Sequence, residues 1–140
     1  MKYIVPEIPG KVQIGIMDGY CNLKCPMCFV HSPDNNRNMK AFRGKMPIDR
    51  FKVILDEVKE YKPMISPYRW SEPLMCNNFM DYCCLIKEAG LGVAINTNGL
   101  LLKDKLAKEF VEIGFDSITF SIDAFTGETY QKIRGVNLFD

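Results

Sequence analysis

About four times along this chain, a short run of alternating apolar and polar residues gives way to a longer run with apolar residues at helical spacing. Strands separated in sequence by helices join as parallel neighbours, each helix crossing back over the sheet. The expected class is therefore α/β, with four βα units around a parallel sheet. Composition agrees: 140 residues, 47% hydrophobic and 25% charged, suit one ordinary soluble domain.

The first strand is expected over residues 12–17, where Val12, Ile14 and Ile16 alternate, and a helix carrying Phe51, Ile54, Leu55 and Val58 begins near Pro47. A second strand over residues 64–70 ends in Ser71-Glu72-Pro73, and Phe79, Cys83 and Ile86 then mark a helix stopped by Gly90. The third, over 92–96, runs through Thr97-Asn98-Gly99 into a helix with Leu106, Phe110 and Ile113, closed by Gly114. The fourth alternates Ile118, Phe120 and Ile122 against Thr119, Ser121 and Asp123, and a last helix starts near Thr126. In a parallel sheet, open or curved toward a barrel, chemistry gathers at the carboxyl ends of the strands. Four polar constellations are expected at that rim.

The richest of them follows the first strand: Cys21-Asn22-Leu23-Lys24-Cys25-Pro26-Met27-Cys28. Its three thiolates are one too few for a closed zinc tetrahedron or a fully ligated four-iron cluster. Three readings stay open on the residues alone. The cysteines could hold a [4Fe-4S] cluster with one iron left open, an electron-carrying cluster completed by a fourth cysteine such as Cys76, or a zinc ion completed by Cys76 or His31. Cys76, Cys83 and Cys84 recur at helical spacing and read better as packing residues. Without an export signal, six cysteines suit a reducing compartment, and a cytoplasmic location is expected.

The balance of 18 basic against 17 acidic residues, a net charge of +1, gives no broad field to attract nucleic acid or an anionic membrane. No apolar run reaches the ~20 residues of a membrane span. The stretch with Arg37, Lys40, Arg43 and Lys45 reads as a solvated loop, or as a hold for an anionic substrate.

Together, the triplet, the Glu72-Pro73 pair after the second strand and Ser121-Ile122-Asp123 on the fourth resemble the radical S-adenosylmethionine (radical SAM) superfamily over essentially the whole chain, 1–140. The resemblance implies a partial (β/α)6 TIM-like barrel, of which these would be the N-terminal four βα units, with strands five and six absent and an unpaired edge at strand four. It implies a [4Fe-4S] cluster on Cys21, Cys25 and Cys28, with S-adenosylmethionine (SAM) chelating the fourth iron. Reductive cleavage would then give a 5′-deoxyadenosyl radical that abstracts hydrogen from a substrate. A fourth protein ligand such as His31 would block the position SAM needs.

By the same resemblance, Met27, where the family usually has an aromatic residue, and Phe29 would lie near the adenine. Trp70-Ser71-Glu72-Pro73 stands where the family has Gly-Gly-Glu-Pro, so Ser71, Glu72 and Pro73 would meet the SAM ammonium. Ser121 and Asp123, taken to share one face of strand four, would contact the SAM methionine or ribose, Arg134 its carboxylate, and Asn98 with Thr97 either SAM or substrate. Implied partners are a reductant such as ferredoxin or flavodoxin and a substrate that is a peptide, a protein or a small metabolite. Arg43-Gly44-Lys45-Met46 and the helix after it are similar to members carrying a C-terminal SPASM domain.

Overall fold

A computed structural model of the chain describes residues 8–32 and 43–138. Strands β1 (Lys11–Gln13), β4 (Met64–Ser66), β5 (Gly92–Thr97) and β6 (Ser117–Phe120) form one parallel sheet in that spatial order, and β2 (Met17–Asp18) pairs antiparallel with β3 (Gly44–Lys45). Helices α1 (Ile48–Val58), α2 (Phe79–Glu88), α3 (Asp104–Ile113) and α4 (Gly127–Arg134) alternate with the strands. The four βα units and their parallel pairing are as the periodicity predicts.

The core forms where helical and strand periods meet. In α2, Phe79, Tyr82, Cys83 and Ile86 fall at three- and four-residue intervals and are all buried. They join Phe51 and Leu55 of α1, Phe110 of α3, and Ile65, Val93 and Ile95 of the sheet in one apolar cluster. Each such side chain contributes about 1.5–3 kcal/mol by leaving water. Phe51 meets Tyr82 edge to face with ring centroids 5.0 Å apart, and Phe110 stacks on Phe115 at 4.2 Å. A Cβ on Gly92 would stand 2.8 Å from the Met64 sulfur, the movable end of a flexible side chain. Gly114, at φ 75°, closes α3 as expected.

Several boundaries differ from expectation. The first strand ends at Gln13; Ile14 still donates to the Ser66 carbonyl at 2.9 Å, but Met17–Asp18 turns away to pair with Gly44–Lys45. Lys45 therefore lies in a strand and not in a loop, while Arg37 and Lys40 lie outside the described residues. The second strand stops at Ser66, because Pro67 offers no N–H to the ladder and Tyr68 bends back to donate to Ser66 O. The fourth ends at Phe120, so Ser121 and Asp123 follow the strand instead of sharing a face of it. Among the described residues β6 is an edge strand, with Phe120 and Ile122 exposed.

Candidate functional site

The cysteine loop is held where it starts. Gly19 N donates to Trp70 O at 3.2 Å and Glu72 N to Tyr20 O at 2.8 Å, fastening the approach to Cys21 onto the segment after β4. Asp18 reinforces the seam, accepting from Trp70 N at 3.3 Å and from Arg69 Nη2 at 2.9 Å. At the loop's far end, His31 Nε2 lies 3.2 Å from Trp70 O. Within it, a turn at Pro26-Met27 is closed by Cys28 N donating to Cys25 O at 2.9 Å.

Backbone N–H groups point at the sulfurs: Leu23 N at Cys21 Sγ (3.4 Å), and Val30 N (3.4 Å) and His31 N (3.2 Å) at Cys28 Sγ. Such N–H donors suit sulfurs that ligate an iron–sulfur cluster. Burial is the largest influence pushing the Cys21 thiol up, opposed by the Leu23 N–H and reinforced by Glu72, Cys25 and Cys28. A set of mutually repelling thiolates fed by N–H donors fits a cationic iron–sulfur core, which would relieve that repulsion. Among the described residues, no three His, Cys, Asp or Glu side chains converge on a single metal ion.

All three cysteines line a cavity of about 390 Å³, together with Met27, Phe29, Ser71, Glu72, Asn98, Ser121 and Arg134. Two groups in this wall are buried without a hydrogen-bond partner among the described residues, Ser71 Oγ and Arg134 Nε. Orphaned polar atoms are costly inside a protein, and both belong to residues that line the cavity. The residues present therefore fit a polar, partly anionic molecule seated beside the thiolates.

Glu72 is finished differently. Its carboxylate accepts from Thr97 Oγ1 at 2.6 Å, Asn98 N at 2.8 Å and Leu74 N at 3.3 Å, and it caps the 3-10 turn Pro73–Met75. The turn reading of Glu72-Pro73 holds, and Glu72 lines the cavity as well. Asn98 also bonds outward, its Nδ2 donating to Asn22 Oδ1 at 2.8 Å and its Oδ1 accepting from Leu100 N at 3.0 Å. A ring of contacts thus runs Tyr20, Glu72, Asn98, Asn22, enclosing Cys21.

Two of the residues expected at the cofactor are not in the cavity wall. Pro73 is buried as the first residue of its 3-10 turn, and Asp123 pairs with Arg134 Nη2. Nη2 of Arg134 also donates to Ser121 O at 2.6 Å, and Nη1 to Cys25 Sγ at 3.8 Å. Cys76 lies in the core and donates to Asn78 Oδ1, while burial pushes the Cys83 thiol far up. Both are packing residues. Tyr68, Trp70 and Asn96 line the cavity without having been singled out, and Asn22, a short polar residue inside a loop, gave no sign of its partner.

Comparison with known proteins places this geometry in context. Residues 16–140 match the Radical SAM superfamily. The chain is 34% identical, over 125 residues, to the tungsten-containing aldehyde ferredoxin oxidoreductase cofactor-modifying protein of Pyrococcus furiosus, covering 88% of this chain and 31% of that protein. It is 27% identical to the Fe-coproporphyrin III synthase of Methanosarcina barkeri, covering 83% of this chain and 28% of that one. The chain thus spans about a third of the length of these curated relatives. Its fold is similar to that of SuiB of Streptococcus suis, solved with S-adenosylmethionine, with a TM-score of 0.74 at 20% identity over 93% of this chain and 29% of that chain. Sequence match, parallel sheet and cysteine-lined cavity agree, and the chain belongs to the radical SAM superfamily.

Proposed function

We propose that the protein is a radical SAM enzyme whose Cys21, Cys25 and Cys28 hold a [4Fe-4S] cluster, with SAM in the cavity beside them. The observation that carries this reading is the single cavity lined by Cys21, Cys25 and Cys28 together with Ser71, Glu72, Ser121 and Arg134. The cluster and SAM would supply one-electron cleavage of the sulfonium and hydrogen abstraction from the substrate.

This chain's residues bind and orient. Ser71 Oγ and the one acceptor position that Glu72 has left, of a carboxylate's four or so, take the SAM ammonium. Arg134 Nε takes its carboxylate, Ser121 lies at the methionine or ribose, and Met27 and Phe29, both exposed at the mouth, flank the adenine. Asn98 acts through Asn22 on the cysteine loop, and Asp123 through Arg134. Leu23, Val30 and Tyr68, buried in the wall, keep water from the reacting centre. A low-potential reductant such as ferredoxin or flavodoxin would supply the electron. The substrate would be a peptide, a protein or a small metabolite.

Anaerobic reconstitution should give about four irons and four sulfides per chain. Adding SAM should then change the electron paramagnetic resonance spectrum of the reduced cluster. Abundant zinc without sulfide, or a spectrum indifferent to SAM, would overturn the reading. Cys76→Ala should keep its iron, whereas an electron carrier using Cys76 as fourth ligand would lose it.

A further inference from the structure

Among the described residues, Arg134 is a charged side chain with a hydrogen bond to a cysteine of the triplet. Its Nη1 donates to Cys25 Sγ, and Cys25 is the buried member of the three. The guanidinium is held on its other side by the Ser121 carbonyl and by Asp123. An independent contact brings the end of α4 to the same place. A Cβ on Gly135, which closes the helix at φ 79°, would stand 3.4 Å from the Lys24 carbonyl oxygen and 3.5 Å from Pro26 Cδ. The helix end is therefore seated on the two residues that flank Cys25.

The ion pair is lopsided. The Arg134 side chain is 11% exposed and that of Asp123 is 39% exposed. The counterion is partly screened by solvent while the cation faces a buried sulfur, so the guanidinium is the less screened charge of the pair at Cys25. Hydrogen bonds to cluster sulfurs and local charge are among the factors that set iron–sulfur potentials.

Resting on the cluster reading above, we propose that Arg134 sets the reduction potential of the cluster through Cys25, with Asp123 as the brake on its charge. One electron from an external reductant adds one negative charge to the cluster; no bond or proton is exchanged. A guanidinium at Cys25 stabilises that added charge and raises the potential. Arg134 is thus a positioning residue for the electron-transfer step as well as a ligand for SAM.

The test is a redox titration of the reconstituted full chain without SAM, followed by electron paramagnetic resonance, after iron and sulfide have been counted. At the wild-type midpoint, Arg134→Gln should lower the ratio of reduced to oxidised cluster about tenfold, about 59 mV for a one-electron couple. Asp123→Asn should shift the midpoint the opposite way, and Arg134→Lys should fall between wild type and Arg134→Gln. Unchanged midpoints in cluster-loaded Arg134→Gln and Asp123→Asn, or shifts of the same sign, would overturn the proposal. Should Arg134→Gln fail to retain iron, the sign of the Asp123→Asn shift decides: upward supports the proposal, absent or downward overturns it. Failure of the wild type to build a cluster is visible in the iron and sulfide count and overturns the underlying reading instead.

Discussion

Glu72 and Arg134 line the same cavity, but Glu72 has three protein donors on its two oxygens, while Arg134 keeps Nε buried and unpartnered among the described residues. Glu72 belongs to a wall that completes itself through Thr97, Asn98 and Asn22. Arg134 and Ser71 belong to a wall left unfinished. Unfinished buried polarity costs stability in the empty protein and is returned when a ligand arrives. One wall therefore builds the cysteine loop's seat, and under the proposed function the other would meet what sits in it.

The sharpest way to break this contrast is Glu72→Ala, which strips the acceptor from Leu74 N, Thr97 Oγ1 and Asn98 N. Urea unfolding of the metal-free chain should show a loss of about 3 kcal/mol. A loss below about 1 kcal/mol would mean that Glu72 is no strut. Ser71→Ala probes the unfinished wall. Stability without ligand should rise by about 1 kcal/mol, since a buried unpartnered hydroxyl is removed, while SAM affinity of the reconstituted protein, measured by calorimetry, should fall about tenfold, or about 1.4 kcal/mol.

A double-mutant cycle of Asn22→Ala and Asn98→Ala should give a coupling of about 0.5–1 kcal/mol in the same unfolding experiment. Zero coupling would detach Asn98 from the cysteine loop. The smallest effect lies outside both walls, at Asp116, whose carboxyl is held below the ordinary 3.8 first by the Val93 N–H and then by Lys87. Because the folded value is depressed, this contribution is present in full above the ordinary value and is lost as pH falls through the folded one. The wild type should thus lose stability relative to Asp116→Asn below about pH 4, by a modest amount because the side chain is well solvated. Parallel pH profiles of the two would remove Asp116 from the ledger of native interactions.

Much of this contrast could not be read in advance. The order of strands and helices was legible because burial writes a period of 2 or 3.6 into the apolar residues, as in Phe79, Cys83 and Ile86. The lengths of strands were not, because backbone pairing depends on distant partners: Met17–Asp18 leaves the sheet for Gly44–Lys45. Ser121 and Asp123 look like alternating strand residues, yet β6 ends at Phe120, before both of them, and Asp123 turns to Arg134. Pro73 reads as a ligand contact because it sits next to Glu72, yet it stands outside the cavity wall and opens a 3-10 turn.

By itself the sequence determined the α/β class, the spacing of three thiolates and the order of the polar segments after each strand, since these rest on residues close together along the chain. Tertiary structure alone decided that Glu72 is occupied by Thr97 and Asn98, that Asn98 reaches Asn22, and that Arg134 reaches Cys25, 109 positions away. Periodicity records which face is buried; which donor meets which acceptor is settled only when the sheet brings distant loops to one rim.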